Sequence, residues 1–389
     1  MEYNNMSTIT FCIPTKDNLR YLRGSIESIR KNAVTNPKIL VYVDSSNDGT
    51  IEWLTEHSIN FIVNETNTPR GIAYGYNRCI EQAETDIVCM FHADMYMAKG
   101  FDTAILKYIS DGVVVSGTRI EPPLHPEGEE KIVHGFGMYP EDFNEAAFLE
   151  FAYNKVIEHS GRTTRGIFAP WAIHKKDILA VGLHDENLHS YHEDSDIFNR
   201  FVLAGFTILQ TWEGYVYHLT CRGGQFQNGI EQVTTNPQFH SMKQKSFREF
   251  IRKWGQFIRN DEYHHPIIQP RYRKKLVLPS ANLQLVSQLE PWFDLVSVAD
   301  AELVRSYIAH EHSMTSRNLE NTFYGSDEGI GVTITVNPLT FTQNDYILIH
   351  NIGTLLSDIP PTEIGEYSVG NLHVAVNKPT PMVTGYISQ

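Results

Sequence analysis

Short apolar runs alternate with amphipathic stretches through the first half of the chain. Residues 8–14 (Thr-Ile-Thr-Phe-Cys-Ile-Pro) are apolar and β-branched, which predicts a strand. Leu22, Ile26 and Ile29 then recur at helical spacing, with Asn18 placed to cap that helix. Further strands are predicted over 39–43 and 60–63. Between them, 44–50 (Asp-Ser-Ser-Asn-Asp-Gly-Thr) is loop chemistry, with Thr50 able to cap a short helix. A helix is predicted over 71–83. Ile87, Val88, Met90 and Phe91 then make a nearly unbroken apolar run bounded by polar residues, the pattern of a strand buried on both faces. Strand and helix alternating in this rhythm predict an α/β fold: a mostly parallel sheet with helices on both faces.

The pattern continues with a helix over 101–109, a strand over 113–120, an irregular Pro/Gly-rich stretch over 121–140 and a helix over 141–158. Long irregular loops in compact domains are usually functional or disordered. An apolar strand over 168–173 and a short packing segment over 177–181 come next, then two strands over 207–210 and 215–218. From 243 to 275 basic residues gather, and Phe247, Phe250, Ile251, Trp254 and Ile258 recur at helical spacing. This predicts a basic amphipathic helix, packed on the preceding domain with its basic face in solvent, and then a linker. Attraction to phosphates or an anionic membrane surface is the sharper alternative. The remainder restarts the alternation, with strands over 295–298 and 332–336, helices over 301–309 and 344–356, and a hairpin over 367–376 turning at Gly370-Asn371. The expected organisation is therefore a large α/β domain over 1–245, the basic helix and linker over 246–275, and a small α/β accessory domain over 276–389.

Composition narrows the function classes. A formal net charge of −14 over 389 residues argues against nucleic acid as the main partner, because phosphate binding needs a basic footprint. No apolar run approaches the roughly 20 residues needed to span a bilayer. The first eight residues lack a signal-peptide core. Cys12, Cys79, Cys89 and Cys221 are far apart, without a Cys-x-x-Cys pair. They predict reduced residues of a cytoplasmic protein.

The candidate chemistry lies where strands end. His92 and Asp94 follow the buried run, and strand carboxyl ends are where open α/β sheets bind ligands. A strand end that turns polar because it meets water accounts for the pair equally well. Asp44 and Asp48 either accept hydrogen bonds from a nucleotide or serve as turn residues. The Gly-x-Gly-x-x-Gly of a dinucleotide site and the P-loop are both missing, since the first strand runs into Pro14-Thr15-Lys16-Asp17. Over 189–200, Glu193, Asp194 and Asp196 crowd a helix start, where acids also suit the helix dipole.

Pro14-Thr15, the tip Val43-Asp44-Ser45-Ser46-Asn47-Asp48-Gly49-Thr50, the run Arg70-Gly71-Ile72-Ala73-Tyr74-Gly75-Tyr76-Asn77 and His92-Ala93-Asp94 come in that order. Together they resemble the family 2 glycosyltransferases, which have the GT-A fold. The family pattern reads Pro-Thr-x-Asn, then Asp-Asp-Gly-Ser-x-Asp-Gly-Thr, then a Gly-rich helix start with a helical Asn, then Asp-x-Asp. Val43 stands in place of the first acid of the Asp-Asp pair, and His92 in place of the first Asp of Asp-x-Asp.

The resemblance, which covers about the first 245 residues, implies a role for each matching position. Pro14, Thr15, Asp17, Asp44, Arg70, Gly71, Asn77, His92 and Trp171 would hold the nucleotide sugar, with Asp44 on the uracil and His92 on a ribose hydroxyl or a metal-bound water. Asp94 and His218 would hold a divalent metal, Mn2+ before Mg2+ because of the imidazole. Asp194 would be the general base, with Glu193 its neighbour, in a match that also covers Asp196 and Arg200. The implied activity is inverting transfer of a sugar from a nucleotide-diphosphate donor, UDP-sugar first, to a hydroxyl on a glycan, lipid-linked or protein acceptor. A metal-dependent hydrolase around His92, Asp94 and His218 and an inactive nucleotide-sugar-binding module are the competitors. A sugar-1-phosphate nucleotidyltransferase is disfavoured, because its Gly-rich loop is missing.

Overall fold

β1 (Ile9–Thr15) is buried along nearly its whole length, as its apolar run requires. It leads into α1 (Leu19–Asn32), whose Leu19, Leu22, Ile26 and Ile29 form one buried face. β2 (Lys38–Val43), α2 (Thr50–Glu56), β3 (Asn60–Val63), α3 (Gly71–Gln82) and β4 (Ile87–Met90) complete the expected rhythm. There follow β5 (Met95–Met97), α4 (Phe101–Leu106), β6 (Val113–Glu121), β7 (Lys131–Val133), α5 (Glu145–Glu158), β8 (Thr163–Thr164), β9 (Trp171–His174), α6 (Lys175–Val181), α7 (Glu193–Leu203) and β10 (Thr207–His218). The computed structural model describes residues 8–66, 68–189, 191–220, 237–357 and 364–377. Cys221 lies outside them, and Cys12, Cys79 and Cys89 are buried free thiols.

These strands form one sheet in the order β3-β2-β1-β4-β9-β6-β10-β5, with β7 beside β6 and β8 beside β10. β1, β2, β3 and β4 pair in parallel. β6 and β10 also pair in parallel. β9 runs antiparallel to both β4 and β6, so the two parallel groups point the same way. A core including Phe11, Ile26, Val41, Ile80, Val88, Ile173 and Phe201 packs against the sheet. Gly75 lets α3 press on the sheet, since a Cβ there would lie 2.9 Å from Pro14 Cβ and 2.7 Å from the Tyr42 ring.

Three local expectations are corrected. Asn18 makes no capping hydrogen bond. The Leu19 N–H donates instead to Asp48 Oδ2 at 2.7 Å, from the second strand's loop. Thr50 is the first residue of α2 and not its cap, and its hydroxyl donates to Asp48 Oδ1 at 2.5 Å. The two strands expected over 207–218 are one strand with a register shift between Gln210 and Tyr215.

The chain divides into two compact units. Residues 1–241, 260–266 and 387–389 make unit 1, and residues 242–259 and 267–386 make unit 2. α8 (Pro237–Trp254) supplies its residues from Met242 onward to unit 2. β11 (Lys274–Leu278), α9 (Leu283–Leu289), β12 (Leu295–Val298), α10 (Ala301–Glu311), α11 (Leu319–Tyr324), β13 (Val332–Val336), α12 (Gln343–His350), α13 (Ile352–Ser357), β14 (Gly365–Val369) and β15 (Leu372–Val376) follow. Their sheet has the order β12-β11-β13-β15-β14, parallel at β12, β11 and β13 and antiparallel beyond.

The basic helix is the main correction here. Its arginines are not on a solvated face, although Lys243 is exposed: Ile251 joins the core of unit 2, and Arg252 is 3% exposed among Glu249, Glu290 and Glu311. Arg248 and Arg252, spent in these ion pairs, are not available to phosphates or membrane. β11 begins inside the stretch expected to be a linker.

Candidate active site

The carboxyl ends of β1, β2, β4, β6 and β10 share one edge of the unit 1 sheet, by the strand directions given above. β4 stops at Met90, and the chain turns with the Met95 N–H donating to the His92 carbonyl at 3.3 Å. It returns as β5, antiparallel to β10, where Met95 faces His218. The Leu219 N–H donates to the Asp94 carbonyl at 3.0 Å. This short strand was not expected from the sequence, and it brings residues 92–94 to the end of β10.

His218 Nε2 lies 3.5 Å from Asp94 Oδ1, and the His92 and His218 rings are 5.4 Å apart. One donor atom from each of His92, Asp94 and His218 lies within 4.8 Å of the others. Two imidazole nitrogens and a carboxylate oxygen converging at that range fit a divalent first-row metal. Asp94 and His218 are buried and His92 is partly so.

Behind His218 stands a residue that sequence reasoning missed. Tyr217 pairs with Ile120 across the parallel β6–β10 ladder, so Glu121 comes level with His218. Its Oε1 lies 2.9 Å from His218 Nδ1. A carboxylate on one imidazole nitrogen fixes the ring and leaves the other nitrogen to a ligand. Burial opposes the Glu121 charge, but Arg119, His218 and Lys131 hold the carboxyl far below its ordinary value. Arg119 and Lys131 approach it at 3.3 and 2.9 Å. The overlooked signal was Arg119-Ile120-Glu121, two charges inside a strand otherwise buried.

The two histidines are driven apart electrostatically. Burial and the neighbouring His218 push His92 down to about 4. Burial also disfavours charge on His218, but Asp94 and Glu121 outweigh it and raise His218 to about 9.

Glu193 and Asp194 open α7, after His192 in a left-handed conformation with φ of 70°. Glu193 is buried, and burial together with Asp194 raises its carboxyl well above the ordinary range. Asp194 is more exposed and accepts from the Ser195 N–H at 2.6 Å. Its charge acts on His92. Asp196 and Arg200 are internal: they pair at 2.8 Å, and Arg200 also donates to the Val181 and Leu183 carbonyls.

The donor-side residues divide. Thr15 ends β1 and is buried. Asp17 accepts from the Asn47 N–H at 2.8 Å and donates its own N–H to Ser46 Oγ at 2.9 Å, which ties the first two loops together. Asp44 accepts from Asn64 Nδ2 and from the backbone N–H groups of Arg70 and Gly71, at 2.8 to 3.0 Å. It thus anchors the start of α3 to the end of β2. Gly71 has φ of 85°, and a Cβ there would strike the His189 backbone, so only glycine fits. Arg70 lies over the Tyr74 ring at 4.3 Å. Asn77 clamps the 184–186 loop, with Nδ2 donating to the His184 carbonyl at 2.9 Å. Trp171 stands opposite Met90 at the end of β4, but its side chain turns into the core. It is 2% exposed, edge-on to Phe198 and Phe201.

Among the described residues, no helix is long and apolar enough to cross a membrane. The chain is 25% identical over 239 residues to the uncharacterized glycosyltransferase YfnE of Bacillus subtilis (strain 168), covering 50% of this chain and 60% of that one. Among solved structures it is similar to GalNAc-T7 with UDP, GalNAc and Mn2+, at a TM-score of 0.47 and 14% identity over 67% of this chain and 49% of the other. It is also similar to the mannosyltransferase PcManGT from Pyrobaculum calidifontis in complex with GDP-Man and Mn2+, at a TM-score of 0.40 and 18% identity over 57% of this chain and 59% of the other. Residues 10–164 match the model of Glycosyl transferase family 2, a stretch that runs from β1 to β8 and includes His92, Asp94 and Glu121. That match makes the N-terminal part of the chain similar to glycosyl transferase family 2.

Proposed function

We propose that this chain transfers a sugar from a nucleotide-diphosphate donor, UDP-linked in the first instance, to an acceptor hydroxyl. The observation that carries the reading is the convergence of His92, Asp94 and His218 at the carboxyl edge of a mostly parallel sheet, in a chain whose residues 10–164 match the family 2 model. Asp94 and His218 would hold a divalent metal, with His92 as third donor or as partner to a ribose hydroxyl. Such an ion supplies positive charge against the growing negative charge of a diphosphate leaving group. Imidazole donors favour Mn2+ over Mg2+.

The remaining roles belong to the chain. The loops ending β1 and β2 and the start of α3, through Pro14, Thr15, Asp17, Asp44, Arg70 and Gly71, would seat the nucleotide. Asp44 does so while anchoring α3, and Asn77 by holding the neighbouring loop in place. Asp194 would take the proton from the attacking acceptor hydroxyl. A single displacement of this kind inverts the anomeric centre. Burial makes an ionised Glu193 costly, so the more open Asp194 is the better base.

A panel of UDP- and GDP-sugars, incubated with Mn2+ or Mg2+ and scored for released nucleoside diphosphate, tests the reading. Metal-dependent release from at least one donor is expected. Tightly retained zinc without affinity for any nucleotide diphosphate would instead indicate a hydrolase. Binding without release from any donor would indicate an inactive binding module.

A further inference from the structure

We propose that His264 is an acceptor-positioning residue of the unit 1 site, an inference that rests on the glycosyl-transfer reading. It lies a hundred positions beyond the stretch that matches the family model, which ends at 164, so that match assigns it nothing.

Residues 260–266 belong to unit 1 although the chain on both sides of them belongs to unit 2. The segment is firmly built. Asp261 Oδ1 accepts from the N–H groups of Tyr263 and His265, both at 2.9 Å. Its other carboxylate oxygen lies 2.6 Å from Arg165 Nε. His265 Nδ1 lies 2.9 Å from the Arg165 carbonyl. Asn260 and Pro266 close the loop through a bridge. Gly166 admits the loop, since a Cβ there would strike the Tyr263 carbonyl.

At its tip His264 adopts a left-handed backbone, with φ of 66°. A non-glycine residue persists in that region only where its surroundings over-determine it, and such residues cluster at functional sites. The imidazole is 41% exposed, so it is open to a ligand. Its ring centre is 6.2 Å from that of Phe168. Phe168 is in turn 6.2 Å from His92 and 6.4 Å from His218, with the Arg119 guanidinium 3.8 Å over its face. One aromatic ring therefore separates His264 from the metal-capable set. Glu130 lies 3.8 Å from His264 Nδ1, and the charges of Arg119, Asp194 and Lys131 also act on it. The carboxylate proposed to deprotonate the acceptor is thus an electrostatic neighbour of an open hydrogen-bonding ring. A hydroxyl-bearing acceptor seated against Phe168 would meet a directing imidazole beside the metal-capable set.

His264→Asn is the informative variant, because Asn tolerates the left-handed backbone while lacking the ring. Nucleoside diphosphate release is measured with the productive donor and Mn2+, in water alone and with methyl glycosides and glycerol as hydroxyl probes. The ratio of transfer to hydrolysis is expected to fall about tenfold, with the loss in acceptor KM or in kcat at saturating donor. An unaltered ratio in the folded variant overturns the proposal, whatever happens to the total rate. If the wild-type chain releases nucleotide from no donor, the glycosyl-transfer reading fails on its own account. The placement is then judged by NMR of the histidine ring protons. Mn2+ with UDP is expected to broaden the His264 resonance, assigned by its loss in His264→Asn. A sharp His264 resonance under saturating Mn2+ and UDP overturns the placement.

Discussion

In unit 2, Arg252 reaches Glu249 at 2.7 Å, Glu290 at 2.5 Å and Glu311 at 2.6 Å. Arg248 meets Glu311 at 2.8 Å and the Tyr307 hydroxyl at 2.6 Å, and Tyr307 donates on to Glu290 at 2.8 Å. Arg317 adds a third guanidinium near Glu290. Each carboxylate in that network ends on a donor from the same unit. In unit 1, Arg119 and Lys131 hold Glu121, and Glu121 holds His218. That chain of contacts does not close in the same way. It ends on a histidine and an aspartate whose donor atoms converge with those of a second histidine. Burial and charge are common to both networks, so neither marks a site. What differs is where the last donor atoms point. A closed network serves packing and register, whereas one that ends in converging ligand atoms has capacity left for a metal.

The largest expected effect tests the open end. Asp194→Asn is nearly isosteric but cannot accept the acceptor's proton, so transfer should fall by about 10²–10⁴-fold. Mn2+-dependent UDP affinity, measured by calorimetry, should stay near wild type. Asp94→Asn should abolish that metal-dependent affinity together with turnover. Wild-type transfer by Asp194→Asn would reduce Asp194 to a helix-start acid and make Glu193 the next base to test.

Arg252→Ala attacks the closed network. It removes a guanidinium shared by three buried carboxylates, and removing one partner of a buried pair costs about 3–5 kcal/mol. Denaturant unfolding should show that loss, while metal-dependent nucleotide affinity in the folded fraction should not move. If both fall together, the two networks are coupled and the contrast collapses.

Glu121→Gln attacks the support of the open network. Losing the carboxylate behind a ligating histidine typically costs about 10–100-fold in metal affinity or activity. Mn2+ titration should show a drop of that order, larger in its consequence than any change in the unfolding midpoint. Unaltered Mn2+ affinity would mean that Glu121 only packs.

The smallest effect is a pH dependence. Burial opposes ionisation of Glu290, but Arg252 foremost holds its carboxyl below the ordinary 4.5. A folded value below the unfolded one means that the stabilisation is fully present above about pH 4.5 and is lost as pH falls through the folded value. The unfolding midpoint of Glu290→Gln should therefore lie below wild type at pH 7. The gap should narrow below pH 4.5. A gap that is constant down to pH 3 would show that the Glu290 charge does not contribute in this way.

The first four strands and the helices between them were legible because each is a local pattern: β1, β3 and β4 are apolar runs, and α1 repeats at helical spacing. Caps were less so. Asn18 is the right residue type at the right position, yet its side chain makes no capping bond, and the first N–H of the helix goes to Asp48. A carboxylate 29 positions away in the chain is invisible to a local pattern. β5 was missed because three residues, Met95, Tyr96 and Met97, are too few for any period to show.

By itself the sequence determined that this is an α/β chain with a second α/β unit, that His92, Asp94, His218, Glu193 and Asp194 are candidates for its chemistry, and that its motifs resemble those of family 2. These follow from residue type and short spacing, which a linear reading can register. Only the tertiary structure decided that Glu121 supports His218, that the basic helix spends Arg248 and Arg252 inside unit 2, that Trp171 is core, and that His264 returns to unit 1 from far along the chain. Those facts depend on strand register and on which distant side chains neutralise a buried charge. Both are fixed when the chain packs, because the cost of burying a charge depends on whatever lies beside it.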